Sequence, residues 1–143
     1  MEFNFATLWE KTADLIPNET AIICGDEQKT WGEYENVSAK LATALIDAGL
    51  STYSKAGLYL HNSNEYLEAQ FSIFKIGGTP INVNYRYKSE ELLYLLDNSD
   101  CEALFYQACY GDQINKIKDS LPKIKAWIEV ADGSDSVVEN CMH

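Results

Sequence analysis

No run of Lys or Arg in this chain is long enough to build a basic stripe, and acidic residues outnumber basic ones twenty-two to eleven, for a formal charge of −11. Such a surface repels phosphate backbones and anionic leaflets, which argues against nucleic-acid and membrane-surface partners. No stretch of about eighteen consecutive apolar residues occurs, so nothing reads as a membrane-spanning helix. Glu2, Glu10, Lys11, Asp14 and Glu19 break up the start of the chain, which excludes a signal-peptide layout and makes the cytoplasm the expected location. Phosphate cradles of the GxxxxGK[ST] or GxGxxG type are absent. Histidine is nearly absent too: His61 is the only one besides the terminal His143, and no Ser or Cys nucleophile paired with an Asp is legible around it.

Four cysteines, Cys24, Cys101, Cys109 and Cys141, form no CxxC pair and have no His or acidic cluster at ligand spacing beside them. A disulfide or metal site is the sharper reading. Small apolar filler in a reducing compartment is the one taken here, with Cys24 and Cys101 at strand ends and no metal ligands assigned.

What is present is the composition of a folded domain. Hydrophobic residues make up 46% of the chain and charged residues 23%, unlike the charge-rich, apolar-poor mix of disorder. A chain of 143 residues is long enough for one domain or part of one.

The pattern alternates helix and strand. Phe5, Leu8, Trp9, Thr12, Leu15 and Ile16 recur at helical spacing up to Pro17. Thr20 to Cys24 reads as a strand closed by Gly25-Asp26, with Gln28 to Thr30 pairing back as a hairpin arm. Thr30-Trp31-Gly32-Glu33 has the form of a capping box, opening a helix that runs to Ala48 and ends at Gly49, with Tyr34, Val37, Leu41, Ala44, Leu45 and Ala48 on one face. Ala56 to Leu60 is a strand, and Glu65 to Ile76 is a helix that is apolar nearly all round and so needs cover on most sides. Thr79 to Val83 is the next strand. Ser89 is expected to cap a helix carrying Glu90 and Glu91 in its first turn and Leu92, Leu93, Leu95 and Leu96 on its core face. Cys101 to Tyr106 reads as a strand, Tyr110 to Ser120 as a helix with Ile114 and Ile117 inward, and Ile124 to Val130 as a final strand. Short apolar strands separated by helices define an α/β fold with a mostly parallel sheet. Residues 131–143, ADGSDSVVENCMH, read as a polar loop-like tail after a partial domain at 1–130.

Parallel sheets bind ligands at the carboxyl ends of their strands, which makes the turn His61-Asn62-Ser63-Asn64-Glu65 the leading candidate for a polar site. Its structural reading is that Asn62 or Ser63 caps the next helix while His61 satisfies a backbone carbonyl. Asn82, Asn84, Tyr85, Arg86 and Tyr87 form a second polar and aromatic elbow, where Arg86 is expected to pair with a carboxylate and the tyrosines to cover the sheet edge. Tyr106, Cys109 and Tyr110 lie near the next strand end. Glu90 and Glu91 diverge on a helix and are not a paired acid/base device, and Gly77-Gly78 follows a helix, so a C-cap explains it. No catalytic residue is assigned, and no residue is assigned to a cofactor.

Three segments, ETAIICGDEQKTWGEYENVSAKLATALIDAGL, LYLHNSNEYLEAQFSIFKIGGTPINVNYRY and SEELLYLLDNSDCEALFY, resemble in order the N-terminal region of the adenylate-forming acyl-CoA synthetase superfamily, over about Phe5 to Val130. The INVNYRY elbow with its following EEL-YLLDNSD helix is most similar to bacterial fatty-acyl-CoA synthetases. The resemblance implies a large N-terminal domain of stacked sheets, a small mobile C-terminal domain, and activation of a fatty or other carboxylic acid with ATP and Mg2+ to an acyl-adenylate before transfer to CoA. The phosphate loop, magnesium-associated motif, ribose-binding aspartate and catalytic lysine of that family lie downstream, and none has a counterpart here. Tyr53-Ser54 stands where many members have Gly-Asp. The expectation is an N-terminal segment, inactive alone, whose partner is the remainder of the synthetase and whose sheet has exposed apolar edges. A free-standing α/β binding module is the alternative, and a flavodoxin-like nucleotide domain is a third option opposed by the missing glycine loop.

Overall fold

The computed structural model describes residues 4–143, so Glu2 lies outside the described residues. The elements run α1 (Phe5–Leu15), β1 (Thr20–Cys24), β2 (Glu27–Thr30), α2 (Trp31–Asp47), β3 (Lys55–Tyr59), α3 (Asn64–Lys75), β4 (Thr79–Asn82), α4 (Ser89–Asn98), β5 (Ala103–Gln107), α5 (Gly111–Ile117) and β6 (Ala126–Val130). β1 and β2 pair antiparallel in the expected hairpin, while β4, β3, β5 and β6 form, in that order, an all-parallel sheet. The α/β fold is therefore as the alternation implies.

Alternating side chains from the strands feed two cores, as a parallel sheet covered on both faces requires. Ala56, Leu58, Ala103, Phe105 and Ile128 meet Ala42 and Leu45 of α2 and Ala69 and Ile73 of α3. On the opposite face Tyr59, Leu104, Tyr106 and Trp127 meet Leu92 and Leu96 of α4 and Ile114 and Ile117 of α5. A third cluster, Ala6, Tyr34 and Phe71 with Trp9, Trp31 and Phe74 packed around it, holds α1 and the hairpin onto the outer side of α2 and α3. The all-round apolarity of α3 has its cause here: it is sandwiched between sheet and outer layer.

Local chemistry sets the boundaries. The Thr30 hydroxyl accepts from the Glu33 amide at 3.2 Å and the Glu33 carboxylate accepts from the Thr30 amide at 2.8 Å, closing the capping box. Gly49 then ends α2 at φ +90°, a left-handed turn in which glycine has no Cβ penalty.

Three expectations are corrected. In α1 the buried positions are Ala6 and Ala13, whereas Phe5, Leu8, Leu15 and Ile16 are exposed, because α1 packs against two helices whose close approach favours small residues. α4 is capped at Lys88, whose amide donates to the Glu91 carboxylate at 2.9 Å. The Ser89 hydroxyl instead donates to Gln113 Oε1 at 2.5 Å, tying α4 to α5. Of the cysteines only Cys101 is buried filler; Cys24 and Cys109 are exposed. Residues 131–143 carry two anchors: Val138 is buried, and Met142 bridges Ile128 in parallel, extending hydrogen bonds onto the outer edge of β6.

Candidate functional site

The strand order locates the crevice. From β3 the chain crosses through α3 to β4 on one side, then through α4 to β5 on the other, so its connections diverge between the carboxyl ends of β3 and β5. That is the switch point at which open parallel sheets hold ligands.

His61 follows β3 there, and the fold brings to it Gln107 from the end of β5 and Tyr110 from just beyond it. The His61 amide donates to Gln107 Oε1 at 2.9 Å, and the Tyr110 hydroxyl lies 2.5 Å from His61 Nε2. Tyr85 of the elbow presents an edge-on contact to the imidazole, with ring centroids 4.6 Å apart. His61 thus binds a phenol and not the backbone carbonyl expected for it. Tyr59 floors the cluster: its ring packs against Tyr110 in a tilted contact, centroids 4.4 Å apart, and its hydroxyl donates to the Tyr87 carbonyl at 2.7 Å.

The remaining residues of the turn are structural. The Ser63 hydroxyl accepts from the Tyr66 amide at 3.3 Å as the α3 cap. Asn64 is buried, with Nδ2 donating to Glu27 Oε2 at 3.1 Å and Oδ1 unpartnered. Asn62, Ser63 and Asn64 line a cleft of about 290 Å³ against Ile23 and Cys24 of the hairpin.

In the elbow, Asn82 Oδ1 accepts from the Tyr66 hydroxyl at 3.2 Å, and Asn84 Oδ1 accepts from the Arg86 amide at 3.0 Å, an Asx turn. Arg86 pairs with no carboxylate among the described residues. Its guanidinium sits over the Tyr85 ring at 5.5 Å, which corrects the expected ion pair. Tyr106 does not join His61; it lies beside Tyr59 on the same sheet face, and its hydroxyl donates towards β6, to Glu129 Oε2 at 3.1 Å.

Electrostatics keep the Tyr59 phenol and the Cys109 thiol protonated and Asp132 ionised. Burial, reinforced by Tyr110, Cys109 and Glu91, pushes the Tyr59 phenol up to about 12. Burial, with the Asp132 carboxylate beside it, pushes the Cys109 thiol up to about 11, so it is no ready nucleophile. For Asp132 burial acts to raise the carboxyl, but hydrogen bonds from Cys109 and Ser134 outweigh it and hold the group at about 2.

Raised phenol and thiol values mean that the folded state binds these protons more tightly than the unfolded chain, so stability falls as pH rises. For Cys109 the contribution is complete below its unfolded value of about 8.5 and is lost through about 11. For Tyr59 the loss runs from about 10 to about 12. Urea midpoints should therefore hold steady to about pH 8.5 and decline above it. Tyr59→Phe should flatten the upper part of that decline, and an unchanged midpoint through about pH 11, roughly halfway into the Tyr59 window, would contradict the assignment.

No phosphate cradle is built by the described residues. Gly77 turns the chain at φ +72° after α3, and Gly78 and Gly57 are packed against Ser54 and Leu104 respectively, so their missing side chains make room for protein and not for an anion. No helix is long and apolar enough to cross a membrane among the described residues.

A four-stranded parallel sheet with a satellite hairpin and a switch-point crevice defines an α/β scaffold shared with solved CoA ligases. One of them, the anthranilate CoA ligase AuaEII in complex with anthranoyl-AMP, superposes over 99% of this chain and 27% of its own at a TM-score of 0.88, with 22% identity. The family model described as AMP-binding enzyme matches residues 9–142, and the chain belongs to that family. It is 42% identical over 132 residues to a medium/long-chain-fatty-acid/3-oxocholest-4-en-26-oate CoA ligase of Mycobacterium marinum, covering 92% of this chain and 24% of that protein. A 3-oxocholest-4-en-26-oate CoA ligase of Rhodococcus rhodochrous is 37% identical over 135 residues, covering 94% and 24%. The chain thus spans about a quarter of the length of the curated relatives it matches.

Sequence reasoning singled out His61 and Tyr110 but not their pairing, and it missed Gln107 altogether. A polar residue at the end of an otherwise apolar strand was the available signal for Gln107.

Proposed function

We propose that this chain is the opening part of the large domain of an ATP-dependent acid–thiol ligase, which activates a fatty acid as its acyl-adenylate and passes the acyl group to CoA in the cytoplasm. In this reading residues 1–130 are a partial N-terminal domain and residues 131–143 a loop-like connection to the remainder of the synthetase, its obligatory partner. The observation that carries it is the identity of about 40% to fatty-acid CoA ligases across nearly the whole chain. ATP, Mg2+ and CoA belong to the complete enzyme. This segment contributes scaffold: the sheet that later strands extend, and the crevice rim of His61, Tyr85 and Tyr110.

The test is ATP–pyrophosphate exchange with medium- and long-chain fatty acids. The 143-residue chain alone should give only background exchange, while a hybrid in which it replaces the matching segment of the Mycobacterium marinum ligase should support fatty-acid-dependent exchange. Robust turnover by the isolated chain, or a folded hybrid with no exchange, would overturn the proposal.

A further inference from the structure

A second cluster of chemistry-bearing side chains lies at the outer edge of the sheet, away from the His61 crevice. Glu129 projects from β6 with its side chain almost wholly buried, 3% exposed, a costly position for a carboxylate without compensation. Its Oε2 accepts from the Tyr106 hydroxyl at 3.1 Å. Its Oε1 faces His143 Nδ1 at 3.7 Å, too far for a hydrogen bond. The parallel bridge between Met142 and Ile128 holds the last residues against this strand, so Cys141 and His143, on either side of Met142, both arrive at Glu129. Cys141 Sγ is 3.8 Å from His143 Nε2, and one ligand atom from each of Glu129, Cys141 and His143 lies within 4.8 Å of the others.

We propose that Glu129, Cys141 and His143 form a three-ligand site for a zinc-class divalent cation. The donor set decides the class: a thiolate and an imidazole select borderline-soft ions over Mg2+, which prefers oxygen ligands and its own water. Tetrahedral zinc with bonds of about 2.0–2.3 Å sets donors roughly 3.5 Å apart, so the observed spacing closes with a small inward swing of the exposed His143 ring. The fourth position is left to water. Tyr106 occupies the outer-sphere role, orienting the Glu129 carboxylate through the oxygen that the metal does not take. On binding, the Cys141 thiol proton, now directed at the Val138 carbonyl at 3.1 Å, is released to solvent as the Sγ–metal bond forms. Oxidation states do not change. The sequence pattern concealed the site because twelve positions separate Glu129 from Cys141, and only the edge bridge brings them together.

Titration of the 143-residue chain with Co2+ tests this. One equivalent should produce a thiolate-to-cobalt charge-transfer band that Zn2+ then bleaches. Cys141→Ser should abolish the band, while Cys109→Ser, whose thiol lies elsewhere, should leave it intact. His143→Ala and Tyr106→Phe should each weaken Co2+ binding by about 10- to 100-fold. His143 is exposed and Cys141 only half-buried at the margin of the core, so their variants replace no fully buried core side chain. Absence of the band in the unsubstituted chain, or a band that survives Cys141→Ser, overturns the site.

Discussion

Phe71→Ala should destabilise the fold by about 3–5 kcal/mol, lowering the thermal midpoint by roughly 10–20 °C. Phe71 is fully buried although it points away from the sheet, into the outer layer. Its ring meets Trp9 of α1 edge-on at 5.1 Å and Tyr34 of α2 at 4.9 Å, and the Lys75 ammonium lies over its face at 4.8 Å. Lys75 in turn pairs with Glu10 of α1 at 2.7 Å and with Glu35 of α2 at 2.6 Å. One ring therefore joins three helices and seats the cation that joins their surfaces. Truncation removes the transfer energy of the ring and leaves a cavity that neighbouring aromatic groups cannot fill without losing their own contacts. Chemical denaturation followed by tryptophan fluorescence is the direct measurement, because Trp9 and Trp31 report the outer layer and Trp127 the sheet. Phe71→Leu should recover part of the loss. A cost under about 1 kcal/mol for Phe71→Ala would mean that α1 and the hairpin do not depend on this cluster.

Features governed by neighbours in sequence were legible before any coordinates. The Thr30–Glu33 capping box, the Gly49 and Gly77 turns, and the alternation that fixes an α/β sheet all depend on residues within a few positions of each other. What escaped was decided by strand order. Whether α1 buries Leu8 or Ala6 depends on its docking against helices, which periodicity cannot distinguish from docking on a sheet. His61 and Tyr110 are 49 positions apart and meet only because β5 lies beside β3. Arg86 illustrates a different failure: an exposed guanidinium beside many carboxylates suggests an ion pair, yet the adjacent Tyr85 ring captures it. The site was thus legible as a list of residues and not as a constellation.

Gly78→Ala should cost about 2–4 kcal/mol, although it adds one methyl group and demands no left-handed backbone. An added Cβ would lie 2.8 Å from the Ser54 carbonyl oxygen and 3.2 Å from that of Ile73, and backbone oxygens cannot swing aside as a side-chain tip does. Both oxygens are committed. The Gly78 amide donates to the Ile73 oxygen at 2.9 Å, closing α3, and the Thr79 amide donates to the Ser54 oxygen at 2.9 Å, which starts the β3–β4 ladder. Relief of the clash requires β4 to move away from the end of α3 or from β3, against the register that pairs Lys55 with Thr79 and Leu58 with Asn82. Such a movement propagates to the elbow, because β4 ends at Asn82 and Tyr85 follows three residues later to touch His61. The same substitution at Gly25 provides the contrast: nothing lies within 4 Å of its Cβ, so only the φ of +61° resists, at about 1 kcal/mol. Paired urea melts of Gly78→Ala and Gly25→Ala separate packing from backbone strain. Equal losses would place the cost in conformation, whereas a loss at Gly78 two- to fourfold larger assigns it to the seam between α3, β3 and β4.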